Sequence, residues 1–122
     1  MQDEVKPSDI LIKAQELLGD RGQRWIKGNF VRRRSKRVLG IPIPLLGEEY
    51  AYCSLGAVLQ AATELGGRDY RARVEAEYIL SRRMDDSIMH YNDKITRRFD
   101  SIKKAFCAAT KDALELEEKR NA

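Results

Sequence analysis

The stretch EYAYCSLGAVLQAATEL, residues 49–65, decides the fold. It is the most apolar helix candidate in the chain, and small residues recur along it: Ala51, Cys53, Gly56, Ala57, Ala61 and Ala62. Side chains of that size let a neighbouring element approach closely. Gly56 in mid-helix costs about 1 kcal/mol relative to Ala, and tight packing against another helix is the usual compensation. Gly56 is therefore predicted to sit at a close contact. Gly66-Gly67 stops the helix.

Working outward, residues 8–18 form an amphipathic helix in which Ile10, Leu11, Ala14, Leu17 and Leu18 share one face. Ser8 or Asp9 caps its start, Pro7 stands just outside, and Gly19 ends it in a left-handed conformation. Downstream, residues 69–84 read as a third helix capped by Asp69, with Tyr70, Val74, Tyr78 and Leu80 turned inward. Residues 85–95, DDSIMHYNDKI, read as a loop or short turn. The last helix runs from about Thr96, with Phe99, Ile102, Ala105, Phe106, Ala109, Ala113 and Leu114 inward. Residues 1–7 and the polar end 115–122 are expected to fray.

Between the first two helices the pattern changes. Trp25, Ile26, Phe30 and Val31 in RWIKGNFV, residues 24–31, favour a strand. Residues 38–46, VLGIPIPLL, hold Pro42 and Pro44, which forbid a helix and a central strand but allow an edge strand. The two segments flank Arg32–Arg37 and predict a hairpin with a basic tip. The expected fold is one α+β domain over residues 1–122, mainly helical: four main helices and a small two-stranded hairpin between the first and second.

Composition narrows the function classes. Hydrophobic residues are 43% and charged residues 34%, enough apolar material for a core, so global disorder is not expected. No long charge-free apolar run is present, and the acidic start Met1-Gln2-Asp3-Glu4 lacks the apolar core of a signal peptide. Two cysteines, Cys53 and Cys107, cannot form a disulfide framework, which places the chain most simply in the cytoplasm. The single histidine, His90, gives no His-rich metal site, and no cofactor or metal is expected.

Charge is unevenly placed. The net charge is +4, yet residues 21–37 hold Arg21, Arg24, Lys27, Arg32, Arg33, Arg34, Lys36 and Arg37 with no acid. Such a segment attracts acidic protein surfaces, phosphate backbones or anionic lipid. A solvated tip kept soluble by its charge is the plain alternative.

The order of features resembles a family of small uncharacterised proteins from actinobacteria and their phages. The residues that carry the resemblance are Cys53, Leu55, Gly56 and Ala57 in a C-x-L-G-A core helix, then Tyr91-Asn92-Asp93 with Thr96 downstream. The resemblance spans roughly residues 8–114 and implies a compact helical fold with a small β element. It carries no assigned activity. The very basic tip and the Pro-rich segment depart from the pattern, which points to them as the place of any function specific to this chain.

The candidate chemistry is sparse. Cys53 and Cys107 read as buried structural cysteines, since no base or oxyanion loop accompanies them. Tyr91 reads as a packing residue, with Asn92 or Asp93 capping or ordering the loop before the last helix. Asp85-Asp86 with Asp93 matches no calcium-loop spacing. Phosphate-binding glycine loops are absent from the sequence.

The expected function is therefore non-enzymatic binding of a protein partner. Arg32, Arg33, Arg34, Lys36 and Arg37 would dock on acidic groups, and Ile41 and Ile43 within the ridge at 41–46 would add apolar area. The runner-up is nucleic-acid binding without sequence preference by the same arginines, with Trp25 or Phe30 stacking on bases. A small enzyme using Cys53 or Asp93 is the third reading. Oligomeric state is left open.

Overall fold

Pro7 opens the first helix, α1 (Pro7–Leu18), from inside its first turn, where a missing N–H is no loss. The computed structural model describes residues 4–33, 35–44, 50–66 and 70–121, with residues 33, 35–38 and 41–44 described by their backbone alone. Asp9 helps from the third helical position rather than as the cap: its carboxylate accepts the Lys6 N–H at 3.0 Å. Ile10, Leu11, Ala14 and Leu18 are buried, as the periodicity requires. Gly19 has a positive φ of 86° but an extended ψ of 154°, so the helix does not end in the left-handed form expected.

The decisive stretch divides. Tyr50–Tyr52 is a strand, β4, and the helix α2 (Ser54–Leu65) begins only after Cys53. Aromatic side chains favour the pleated surface, and Cys53 caps the helix, its Sγ accepting the Gly56 N–H at 3.2 Å. Gly56 does meet a close neighbour, but that neighbour is not a helix. A β-carbon added there would collide with the backbone carbonyl of Phe30. Gly66 ends α2 in the left-handed conformation.

Helix α3 (Arg71–Met84) buries a different face from the one expected. Ala76, Ile79, Leu80 and Met84 are buried, whereas Tyr70, Val74 and Tyr78 are exposed by 69%, 46% and 59%. The buried set follows i, i+3, i+4, i+8 and includes a small residue that lets a neighbour approach. The expected cap, Asp69, lies outside the described residues. A short helix, α4 (Ile88–Asp93), occupies the segment read as a loop; the Ser87 hydroxyl caps it by accepting the His90 N–H. Helix α5 (Phe99–Asn121) begins three residues after Thr96 and buries Ile102, Ala105, Phe106, Ala109 and Ala113, while Leu114 is half-exposed.

The polar end of α5 makes side-chain contacts with α1 and α3. The Glu117 carboxylate accepts the Ser8 N–H at 3.1 Å and the Ser8 hydroxyl at 2.5 Å. Arg120 forms a fork with Glu75 at 2.6 and 3.2 Å. The outermost parts of the ends expected to fray, residues 1–3 and 122, lie outside the described residues. α1 packs against α2, α3 and α5, and α3 packs against α5. Phe106, Ile10, Leu11, Leu18, Leu80 and Ile102 are almost wholly buried in the core they share. Full burial of such side chains contributes about 1.5–3 kcal/mol each.

The β element lies between α1 and α2 and is built of nested antiparallel pairs. β1 (Val31–Arg33) pairs with β4 in the register Val31 to Tyr52, Arg32 to Ala51 and Arg33 to Tyr50. Within that pair, β2 (Ser35–Val38) faces β3 (Ile41–Pro44), with Lys36 opposite Ile43 and Arg37 opposite Pro42. The turn is Leu39-Gly40, both residues at positive φ (54° and 80°). The basic residues are therefore not at the tip: Arg32 and Arg33 lie on β1, Lys36 and Arg37 on β2. Arg34 and the Leu45–Leu46 end of the predicted ridge lie outside the described residues. Residues 24–30 are no hairpin strand either. Gly22 and Gly28 turn the chain at positive φ, leaving a single bridge from Trp25 to Tyr52.

Candidate functional site

The β element divides into an arm, β1 to β3, and a root, residues 24–30, which are built differently. β2 and β3 pack chiefly on each other and have little contact with the helices. The root is held by a buried polar latch centred on Asn92, which has no exposed surface. Its Oδ1 accepts three hydrogen bonds: from the Trp25 indole N–H at 2.6 Å, the Ser54 backbone N–H at 2.8 Å and the Ser54 hydroxyl at 2.6 Å. Its Nδ2 donates to the Ile26 carbonyl at 3.0 Å and to Asp93 Oδ1 at 2.9 Å. Asp93 Oδ1 also accepts the Gly28 N–H at 3.0 Å. One side chain on α4 thus joins the start of α2 to the segment that leads into the arm.

Further bonds fix the same segment. The Cys53 N–H reaches the Phe30 carbonyl at 3.2 Å, and Lys27 Nζ donates to the Lys94 and Ile95 carbonyls. The Trp25 ring lies 5.8 Å from that of Phe99 and has Lys27 over it. Trp25 is accordingly a root residue whose indole N–H and ring are both engaged within the chain. Phe30, Val31 and Tyr50 are half-exposed and Arg32 is exposed. Ile41 and Ile43 occupy β3 of the arm by backbone register.

The motif residues have mostly architectural settings. Cys53 is buried, and burial pushes its thiol pKa up, the wrong direction for a nucleophile at neutral pH. Cys107, expected to be buried, is exposed; its Sγ lies 3.5 Å from Gln15 Oε1. Leu55 packs against the core and Ala57 lies within it. Tyr91 packs as expected, and Arg97 covers its ring at 3.5 Å while donating to the Tyr91 carbonyl. Thr96 is exposed in the turn before α5. Asp86 holds His90 and the Ser87 N–H, and its hydrogen bond with His90 keeps its carboxyl below the usual range.

Asn92 is a bridge rather than the local cap or loop-ordering residue expected, and Ser54 joins it although the motif reading assigns that serine no role. The available signal was the residue between Cys53 and Leu55 in the C-x-L-G-A pattern: a serine at a helix start with an unassigned hydroxyl. Ser8 and Glu117 gave none, being 109 residues apart.

Among the described residues no group of three His, Cys, Asp or Glu side chains is placed to hold a metal ion, and no helix is long and apolar enough to cross a membrane. No curated protein and no solved structure matches the chain. The match to a family of unknown function covers residues 2–112 and so takes in the latch, the arm and all but the end of α5. On that match, the chain belongs to the family of unknown function DUF6197.

Proposed function

We propose that this chain is a non-enzymatic binding protein that engages an acidic protein partner through the arm, using Arg32, Arg33, Arg34, Lys36 and Arg37 with the Pro-rich segment 41–46. The observation that carries this reading is the division of labour between arm and root. The arm concentrates five positive charges and no acid over residues 32–37, packs mainly on itself, and issues from a root fixed by Asn92. Positive charge concentrated on an element that has little contact with the helices suits electrostatic recognition. We further place the protein in the cytoplasm, on its unbridged cysteines. An actinobacterial or phage source rests on the motif resemblance.

Affinity purification from the native host with nuclease added tests the reading. Co-purification of a protein that survives nuclease, and is lost when the five basic residues become Gln, supports it. Loss of every partner on nuclease treatment overturns it in favour of nucleic acid. That second reading draws on half-exposed Phe30, two residues before exposed Arg32, since aromatic and basic side chains together suit single strands.

A further inference from the structure

We infer that the outer edge of β1 and β2 takes up an acidic, extended segment of the partner as an added β-strand. This rests on the protein-binding reading of the arm and specifies how the arm binds.

Backbone direction identifies the edge. Tyr52 spends its N–H on the Arg24 carbonyl at 2.7 Å and its C=O on the Ile26 N–H at 3.0 Å. Both groups therefore face away from β1, and Val31 opposite Tyr52 is a non-hydrogen-bonded pair. The Cys53 N–H to Phe30 carbonyl bond keeps the alternation. It follows that the N–H and C=O of Val31, and of Arg33 two residues on, face outward.

The same logic applies along β2. A two-residue turn with both residues at positive φ closes on a hydrogen-bonded pair, here Val38 and Ile41. Arg37 opposite Pro42 and Ser35 opposite Pro44 are then non-hydrogen-bonded pairs, which suits prolines, as they have no N–H to give. Ser35 and Arg37 present their N–H and C=O outward. Val31 and Arg33 on β1, and Ser35 and Arg37 on β2, thus turn alternate donors and acceptors away from β4 and β3 respectively.

The other edges are closed. The far side of β4 is bonded to residues 24–26. The far side of β3 offers carbonyls but no donors at Pro42 and Pro44, the usual device against strand addition. Among the described residues no strand pairs with the outer edge of β1 and β2. A second copy of this chain would set five positive charges against five, and like charges across a strand pair are unfavourable. A strand bearing Glu or Asp meets the same edge with opposite charge.

The test uses the full chain and a ten-residue peptide of alternating Glu and Thr with blocked ends, followed by amide exchange. Bound peptide should slow exchange at Val31, Arg33, Ser35 and Arg37 at least tenfold. The same peptide N-methylated at alternate residues keeps its charge and should fail to protect them. Ser35→Pro removes one outward donor without altering charge, and should weaken peptide binding at least tenfold. Absence of binding, or binding that leaves those four amides unprotected, overturns strand addition. If that happens while the partner is still lost on removing the five charges, the arm remains a protein-binding element that acts through side chains.

Discussion

Trp25 and Asn92, 67 residues apart in sequence, meet through a 2.6 Å hydrogen bond from the indole N–H to Oδ1. The same oxygen takes both donors of Ser54, so Asn92→Leu strands three donors and the Ile26 carbonyl in a buried place. Each buried polar group left unpaired costs about 1–3 kcal/mol. The expected loss is about 3 kcal/mol or more, measured by urea denaturation. Ser54→Ala removes only one of those donors and should lose about 1 kcal/mol. Equal losses for the two variants would show that Asn92 is not the hub.

The Phe30 carbonyl fills the space that a side chain on Gly56 would need. The neighbour is backbone and already holds the Cys53 N–H, so it cannot rotate aside. Gly56→Ala therefore forfeits its gain in helix propensity and should destabilise by about 1–3 kcal/mol, the range for overpacking. A melting midpoint at or above that of the parent chain would contradict this contact.

The helical part of the fold was readable because periodicity reports burial. The inward sets of α1 and α5 are present save for half-exposed Leu114 and the partly buried Leu17 and Phe99. The inner face of α3 was misread because Tyr70, Val74 and Tyr78 form an equally regular stripe, and local spacing cannot say which of two stripes meets a neighbour. The strand boundaries failed for another reason. Tyr50–Tyr52 pairs with Val31–Arg33 across the whole arm, and no local signal encodes a partner at that distance. Cys107 shows the limit of residue-type averages, since its place beside Gln15 rather than Phe106's core neighbours depends on the docking of α1 on α5.

The two cysteines should separate by reactivity. Exposed Cys107 should react with a thiol reagent at neutral pH as an accessible side chain does, whereas Cys53 is buried with its pKa raised by desolvation. Native protein should therefore show one fast thiol, and denatured protein two. Cys107→Ala should abolish the fast phase. A fast phase that survives Cys107→Ala would reopen the nucleophile reading of Cys53.

Acid should weaken the packing of α3 on α5. The Asp112 carboxylate meets Arg83 through 2.5 and 2.7 Å bonds, and the Arg83 hydrogen bond lowers its pKa from the ordinary 3.8. A depressed folded value means that the stabilisation is complete above 3.8 and disappears as pH falls through the folded value. Asp86 behaves in the same sense through His90. Both groups are largely solvated, so the effect is modest. Asp112→Asn should show a shallower fall in Tm than the parent between about pH 5 and 3. Parallel curves would assign the acid limb to other carboxylates.

Removing the charges of the arm should separate stability from binding. Arg32, Arg33, Arg34, Lys36 and Arg37 carry five of the eight positive charges of residues 21–37, on an arm with little helix contact. Replacing all five with Gln should shift stability by no more than about 0.5 kcal/mol per site, since β2 and β3 have little contact with the helices. Partner affinity should nonetheless collapse, with association slowed more than dissociation is hastened, because steering depends on the field of the whole arm. Parent binding should also weaken as salt rises, while residual binding by the variant should be nearly salt-independent. A mobility-shift titration with single-stranded nucleic acid at two salt concentrations supplies the contrast: a strong, salt-steep shift would assign the arm to phosphate instead. A variant that stays folded and keeps its partner at parental affinity would remove the arm from the binding surface altogether.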